Sequence, residues 1–178
     1  MVELTKDLPD EPELTTRLYP VDFTEMFEQL EADLAEEFDV VLLLGQAPGA
    51  AEIRLEAVGL NVGEDHEEGP GDFFPLVADG PLAYRSPLPL AAWAAELRDA
   101  GIPAVVSHHA GTSLCNAALY LALHATERDR LRTRAAFVHL PLDPAQLDGD
   151  AETPSLPAIA SASAVRFILE RVSQTSTA

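Results

Sequence analysis

The sequence has very few groups that could form a disulfide or attract an anion. Cys115 is its single cysteine, so no internal disulfide can form, and a lone thiol suits a reducing cytoplasm. Lys6 is its single lysine, and only 11 lysines and arginines stand against 30 aspartates and glutamates. The formal net charge of −19 would repel nucleic acids and anionic membranes, so neither is an expected partner.

Long hydrophobic runs are also missing. No apolar segment approaches the ~20 residues that a membrane span requires, and the first residues lack the basic and apolar regions of a secretory signal. Hydrophobic residues still make up 47% of the 178 residues, which is enough for a folded core. We therefore expect a single cytoplasmic domain over residues 1–178, with a loose lead-in at 1–13 and a disordered tail at 173–178. The acidic, lysine-poor composition also suggests a high-salt habitat, where ions screen the self-repulsion.

Strand-like and helix-like segments alternate along the chain. Short apolar runs predict strands at 18–21, 40–44, 53–62, 102–107 and 135–140. Amphipathic spacing and helix-forming composition predict helices at 23–38, 90–100, 114–128 and 157–172. The residues at 63–71 are expected to form a long acidic loop. This alternation predicts an α/β fold in three layers, α/β/α, around a mostly parallel sheet.

Cys115 lies where a predicted strand gives way to a predicted helix. Gly111 allows a tight turn there, and Thr112 or Ser113 could cap the helix. Cys115 would then occupy the first helical turn, where unpaired amide groups and the helix dipole favour a thiolate. A free cysteine is more often a small buried hydrophobe, so this context nominates a nucleophile without establishing one.

His139 is the candidate general base, because it ends a short apolar strand just before Pro141. A histidine at the end of a strand can project into the cleft above a sheet, although a lone histidine is more commonly held in a core. The adjacent residues His108 and His109 do not indicate a metal site, because neighbours on a strand point to opposite faces. No other cluster has the spacing of metal ligands, and we expect neither a metal nor a cofactor.

Four motifs follow one another in a fixed order along the chain. They are GQAPG at 45–49, IRLEAVGLNV at 53–62, AGTSLCN at 110–116 and FVHLP at 137–141. Together they resemble the loop, glutamate, cysteine and histidine signatures of the pyroglutamyl peptidases (pyrrolidone-carboxylate peptidases), and the resemblance extends over residues 14–172. It implies a phosphorylase/hydrolase-like α/β fold and a homo-oligomer, either a dimer or a tetramer.

The resemblance implies a catalytic triad of Cys115, His139 and Glu56. Cys115 would attack the acyl carbonyl of an N-terminal pyroglutamyl residue in a small peptide, and His139 would exchange protons with the thiol and the leaving amine. Glu56 would orient the imidazole and stabilise its charged form. Water would then hydrolyse the thioester. Without the resemblance, Glu56 would be one solvated carboxylate among many.

The chain departs from the family pattern near the expected substrate pocket. The family's Gly-Phe-x-Pro-Phe-Gly-Gly loop, which helps enclose the lactam ring, has no counterpart, so we expect the first strand and this loop to be missing. Ala57 stands where the family commonly has arginine, and His66 aligns with an arginine credited with stabilising the oxyanion region. Phe73 and Phe74, on a predicted loop, are candidates to replace the missing aromatics. The remaining candidates for substrate or oxyanion contacts are Gln46, Ala47 and Leu114.

These departures leave three functions open. The first is a cysteine peptidase that removes N-terminal pyroglutamate through a thioester. The second is a catalytically weak or inactive relative that acts as a binding module. The third is a thiol hydrolase whose wider pocket accepts a different acyl group. The retained triad favours the peptidase.

Overall fold

The computed structural model describes residues 13–36, 38–65, 72–150 and 152–175. Within these ranges the helices are α1 (Phe23–Leu34), α2 (Leu90–Asp99), α3 (Leu114–Arg128) and α4 (Ala158–Thr175), and Pro144–Gln146 forms a 3-10 turn. The strands are β1 (Val40–Gln46), β2 (Ile53–Glu56), β3 (Val58–Leu60), β4 (Gly63–Asp65), β5 (Asp72–Phe74), β6 (Ala83–Arg85), β7 (Ala104–Ser107) and β8 (Arg134–Leu140). None of the helices in this part of the chain has both the length and the apolar character needed to traverse a bilayer.

Four strands form the central sheet in the order β1-β8-β2-β7. Strands β1 and β8 run parallel, with Gly45 opposite His139, and β2 runs parallel to β7, with Glu56 opposite Ser107. The two parallel pairs meet in an antiparallel contact between β2 and β8, where Arg54 lies opposite His139. Two of the three strand pairs are parallel, in agreement with the mostly parallel sheet predicted from the sequence.

The sheet separates two hydrophobic cores. Along β8, Ala136, Val138 and Leu140 pack into one core, which includes buried residues of α2 and α4. The alternate residues Ala135 and Phe137 pack into the other core, which is formed mainly by α1 and α3. This alternation follows from the two-residue period of a strand. Helices therefore cover both faces of the sheet, and the predicted three-layer α/β/α fold is confirmed.

The predicted strand at 53–62 is wrong as a single element. The amide of Ala57 donates to the carbonyl of Ser107 (2.7 Å), after which the chain leaves the central sheet. Strand β3 then pairs with β6 above α3. A Cβ at Gly59 would lie 2.7 Å from the backbone nitrogen of Tyr120, so glycine permits this close crossing. The break was invisible in the sequence because a short apolar run looks alike in either sheet.

The predicted acidic loop at 63–71 is wrong at its beginning, because β4 and β5 pair as an antiparallel hairpin. The hairpin places Phe73 and Phe74 on a strand rather than on a loop. Residues 66–71, which include His66, lie outside the described residues. The amide of Glu64 donates to the carbonyl of Thr112 (2.9 Å), which attaches the hairpin to the segment that precedes α3.

The chain ends and the helix limits also differ from the sequence prediction. Residues 18–21 form no strand, and Leu18 and Val21 are 75% and 92% exposed. Helix α1 ends at Leu34, the last buried residue on its apolar face, rather than at 38. Helix α4 continues to Thr175, so part of the expected tail is helical. Residues 1–12 of the expected lead-in and residues 176–178 of the expected tail lie outside the described residues.

Candidate active site

Helix α3 delivers Cys115 to the carboxyl end of β1. Gly111 has a φ of +85°, the left-handed conformation that glycine adopts without strain, so the expected tight turn is present. Ser113 is the N-cap residue, but its side chain makes no capping hydrogen bond. The first helical hydrogen bond runs from the amide of Ala117 to the carbonyl of Ser113 (3.1 Å). Cys115 is half-buried in the first turn, where amide groups lie ahead of the helical hydrogen-bond ladder.

Thr112, the other predicted cap, has a different partner. Its hydroxyl donates to Oε2 of Glu64 at 2.5 Å. The hydroxyl therefore ties the segment before the cysteine to the β4–β5 hairpin instead of capping α3. Because the backbone of Glu64 also bonds Thr112, the hairpin and the start of α3 are held together at two points.

A buried carboxylate–imidazole pair lies next to the thiol. His139 projects from β8 on the α3 face, where its ring packs against Phe137 with centroids 4.7 Å apart. Its Nδ1 donates to Oε1 of Glu56 on β2 at 2.8 Å, and the two side chains are only 10% and 1% exposed. Since Nδ1 is taken by the carboxylate, Nε2 is left for Cys115. The structure thus brings together all three side chains that the motifs suggested.

The charge balance of this cluster favours a protonated imidazole. Burial alone would lower the pKa of His139, but hydrogen bonding with Cys115 and with Glu56 outweighs it and raises that pKa to about 9. An imidazolium between a sulfur and a carboxylate is the arrangement expected of a thiolate–imidazolium pair with an orienting acid. Within the described ranges, Oε2 of Glu56 is buried without a hydrogen-bond partner. The carboxylate is therefore committed to His139 through Oε1.

Gly45 lies directly against the thiol, a position that the sequence did not indicate. It is paired with His139 across the sheet, and an added Cβ would lie 2.8 Å from Cζ of Phe137 and 3.1 Å from Sγ of Cys115. A side chain here would push the sulfur or the ring away. The available signal was a glycine directly after a buried strand, but the need for close approach is visible only in three dimensions.

Asn116 is a second residue whose function the sequence did not indicate. It is fully buried next to Cys115, and its side chain accepts a hydrogen bond from the amide of Leu60 (2.9 Å). It also donates to the carbonyls of Leu60 (2.9 Å) and Val62 (2.8 Å). Three hydrogen bonds thus attach the start of α3 to the chain around β3. Asn116 therefore fixes the position of the helix that carries the thiol.

Two of the predicted contact residues, Gln46 and Ala47, are engaged elsewhere in the structure. The side chain of Gln46 donates to that of Gln146 at 2.8 Å and accepts from it at 3.3 Å. The alternation along β1 also directs Gln46 to the face opposite Gly45. The amide of Ala47 donates to the carbonyl of Leu140 at 2.9 Å. The bond between Ala47 and Leu140 continues the pairing of β1 with β8 by one residue beyond the end of β1.

The other candidates are Leu114, at the start of α3, the two aromatics of β5, and His66. Leu114 is half-buried and packs against the α1/α3 core. Phe73 is 59% exposed, whereas Phe74 is 37% exposed and packs edge-on against Phe23 with ring centroids 5.6 Å apart. Phe74 thus anchors the hairpin, whereas the ring of Phe73 is mostly exposed. His66, the remaining candidate, lies outside the described residues.

No group of three His, Cys, Asp or Glu side chains is arranged to hold a metal ion in the residues that the structure describes. Nδ1 of His109 accepts a hydrogen bond from the amide of Gly111 (3.1 Å). This contact gives the imidazole of His109 a local role in the turn that leads to the cysteine helix.

Comparisons with known proteins agree with this geometry. The family model described as pyroglutamyl peptidase matches residues 3–175. The pyrrolidone-carboxylate peptidase of Bacillus cytotoxicus is 36% identical over 157 residues, which cover 85% of this chain and 73% of the relative. That of Ralstonia nicotianae, named pyrrolidone-carboxylate peptidase 1, is 40% identical over 149 residues, covering 81% of this chain and 69% of the relative.

Solved structures give the same answer. The pyrrolidone carboxyl peptidase of Fervidobacterium islandicum superposes with a TM-score of 0.89 and 32% identity, covering 97% of this chain and 88% of that chain. The enzyme of Thermococcus litoralis superposes with a TM-score of 0.83 and 29% identity, covering 93% and 82%. The resemblance seen in the sequence is confirmed: the chain belongs to the pyroglutamyl peptidase family.

Proposed function

We propose that this protein is a cysteine peptidase that removes an N-terminal pyroglutamyl residue from small peptides. Cys115 is the nucleophile, His139 the acid and base, and Glu56 the residue that orients the imidazole. One observation carries the proposal: a buried 2.8 Å bond joins Glu56 to His139, with the thiol beside the same ring, in a member of this family. No cofactor is required for this chemistry.

Acylation uses the protonated imidazole. The sulfur of Cys115 attacks the pyroglutamyl acyl carbon, a C–S bond forms, and the carbonyl oxygen becomes an oxyanion. His139 then gives the proton on Nε2 to the scissile nitrogen as the C–N bond breaks, and the shortened peptide leaves. A pKa of about 9 keeps this proton on His139 at neutral pH.

Deacylation uses the neutral imidazole that remains. His139 takes a proton from water, and the oxygen of that water attacks the thioester carbon. The C–S bond breaks, pyroglutamate leaves, and the thiolate and the imidazolium are restored. Glu56 accepts from Nδ1 throughout, which keeps Nε2 directed at the reacting groups.

The amides at the start of α3, beginning at Leu114, are the proposed oxyanion donors. They precede the helical ladder, whereas the amide of Ala47 is already bonded to Leu140. We assign Phe73 to the lactam ring, because it is exposed on a hairpin attached to Thr112. The side chain of Gln46 is bonded to that of Gln146, so we assign it no contact with the substrate.

The test compares the wild-type protein with the variant Cys115→Ser on a chromogenic pyroglutamyl anilide. Wild type should release the chromophore, and the variant should be slower by roughly 10⁴-fold or more, because removal of a nucleophile abolishes the covalent route. Circular dichroism checks that both are folded. The matched substrate control is prolyl anilide, which lacks the lactam carbonyl.

Two results would contradict the proposal. If neither folded protein released the chromophore, the protein would be a binding module that lacks turnover. Faster thiol-dependent release from another aminoacyl anilide than from the pyroglutamyl one would indicate a hydrolase with a different acyl specificity.

We also propose a cytoplasmic homo-oligomer, a dimer or tetramer, adapted to high salt. A reducing compartment keeps the nucleophilic thiol reduced. Exposed apolar side chains such as Leu18, Val21 and Leu82 offer surface for self-association. Sedimentation measures the number of subunits. Unfolding midpoints that fail to rise between low and molar potassium chloride would contradict the adaptation to salt.

A further inference from the structure

Arg54 is a cation that lies beside the triad. It precedes Glu56 by two residues on β2, and it is paired directly with His139 across the antiparallel contact with β8. Ile53 and Leu55 point into the α2/α4 core, so the alternation of the strand places Arg54 on the face that carries Glu56 and His139. The Cβ atoms of directly opposed residues lie about 4.5–5.5 Å apart. The side chain of Arg54 therefore begins beside that of His139.

Arg54 has no acidic partner among the described residues. The residue is half-buried, yet no hydrogen bond or ion pair joins its guanidinium to another described residue. By contrast, Arg17, Arg128 and Arg171 are each paired with at least one carboxylate. In a chain with 30 acidic and 11 basic residues, an arginine without a carboxylate beside a reaction centre is poised to bind an anion from outside.

The strand neighbours of Arg54 on this face are not members of a hydrophobic core. Its other strand neighbour is Val105 on β7, which is half-buried and belongs to neither hydrophobic core. On this face α3 packs against β8 and β1. Since Cys115 lies over Gly45 on β1, Arg54 is on the far side of His139 from the sulfur.

This position matches the leaving half of the proposed substrate. His139 gives its proton to the scissile nitrogen, so the departing residue must lie next to the imidazole. In a pyroglutamyl dipeptide, one carbon separates that nitrogen from a free carboxylate. A guanidinium fork binds a carboxylate through two parallel hydrogen bonds. It would also offset the repulsion that a chain of net charge −19 exerts on an anionic substrate.

We infer that Arg54 binds the α-carboxylate of the residue released from a pyroglutamyl dipeptide, and so makes this protein selective for dipeptides with a free carboxyl end. The inference rests on the proposed peptidase function for its substrate.

The test measures binding and turnover separately. Binding is measured by calorimetry in the Cys115→Ser background with pyroglutamyl-alanine and with its C-terminal amide. The protein should bind the acid more tightly than the amide by roughly tenfold or more, the size of a charge-assisted hydrogen bond. Adding Arg54→Gln should remove that preference while changing affinity for the amide by less than about threefold. In the active protein, kcat/KM should follow the same pattern.

The matched control is Arg128→Gln, which removes the same charge. Arg128 ends α3, 13 residues after Cys115 and therefore about 20 Å away along the helix. This control should keep the preference for the acid. The inference is overturned if Arg54→Gln weakens acid and amide equally, which would indicate a role in positioning Glu56 or His139. Equal binding of acid and amide by the parent protein would overturn it too. Absent turnover with the binding preference intact would refute the peptidase function and leave the carboxylate site standing.

Discussion

The fold holds the proposed triad and the β4–β5 hairpin in different ways. Glu56 and His139 project from adjacent strands of the central sheet, and each is at least 90% buried. The hairpin lies outside that sheet, and its Phe73 is 59% exposed. The hairpin is held by Thr112 and by packing of Phe74, rather than by a shared core.

The two regions differ in how much substitution they should tolerate. Each triad atom touches buried neighbours, so a substitution there alters hydrogen bonding, packing and charge at once. The mouth of the site has fewer such constraints. The sequence departs from the family pattern at Ala57 and His66, whereas the cysteine, histidine and glutamate motifs remain. Four experiments test this difference between the buried pair and the exposed hairpin.

Glu56→Gln should have the largest effect. The amide cannot stabilise an imidazolium, and it can favour the wrong tautomer, so kcat should fall by roughly 10²–10⁴-fold. The carboxylate also helps to raise the pKa of His139, so the alkaline limb of the rate profile should move to lower pH. Glu96→Gln, which alters an exposed carboxylate paired with Arg171, is the matched control and should leave the profile in place. An unmoved alkaline limb in the Glu56 variant would argue against the pair.

Protonation of His139 should make stability depend on pH. Its pKa in the folded protein, about 9, lies above the ordinary value of 6.5. The stabilisation is thus complete below pH 6.5 and is lost as the pH rises to 9. The loss should reach up to about 3 kcal/mol, measured by urea unfolding at several pH values. The control His109→Asn should keep this dependence, because His109 is exposed; a flat profile in wild type would contradict the imidazolium.

Gly45→Ala should displace the sulfur without unfolding the protein. The new methyl group would meet Phe137 and Cys115 at 2.8 and 3.1 Å, so kcat should fall by roughly 10- to 100-fold, as expected for a misplacement of about 1 Å. Gly59→Ala is the matched control, since its methyl group would meet the backbone of Tyr120 and not the thiol. That variant should lose stability in a melting experiment with a smaller change in kcat per folded molecule. If Gly45→Ala instead lost more stability and less kcat than Gly59→Ala, Gly45 would be needed for folding rather than for placing the sulfur.

Phe73→Ser should have the smallest effect, confined to substrate binding. Since the ring is mostly exposed, unfolding should change by less than about 0.5 kcal/mol, whereas KM for a pyroglutamyl anilide should rise severalfold. Phe74→Ser should instead lower stability by about 1–2 kcal/mol, because that ring packs on Phe23 and Gly63. Equal effects of the two variants on KM would show that Phe73 has no specific role in substrate binding.

Several features were accessible from the sequence for local reasons. Helices α2 and α3 and the turn at Gly111 follow from helix-forming composition and a glycine at the required position. The cysteine and histidine motifs nominated two reactive side chains, and the family resemblance added Glu56. The three-layer fold followed from the alternation of strands and helices, which leaves a parallel sheet few alternatives.

How these parts meet depends on contacts between distant segments of the chain. His139 and Glu56 are 83 positions apart, and no local pattern encodes the 2.8 Å bond between them. Three other features depend on which strand or helix lies alongside. They are the exit of the chain from the central sheet after Glu56, the close approach of Cys115 to Gly45, and the hydrogen bonds of Asn116 to the chain around β3. Periodicity records which face of an element is apolar, whereas partner, register and distance arise when the faces pack together. Local sequence therefore specifies the elements and the reactive groups, and long-range packing assembles the site.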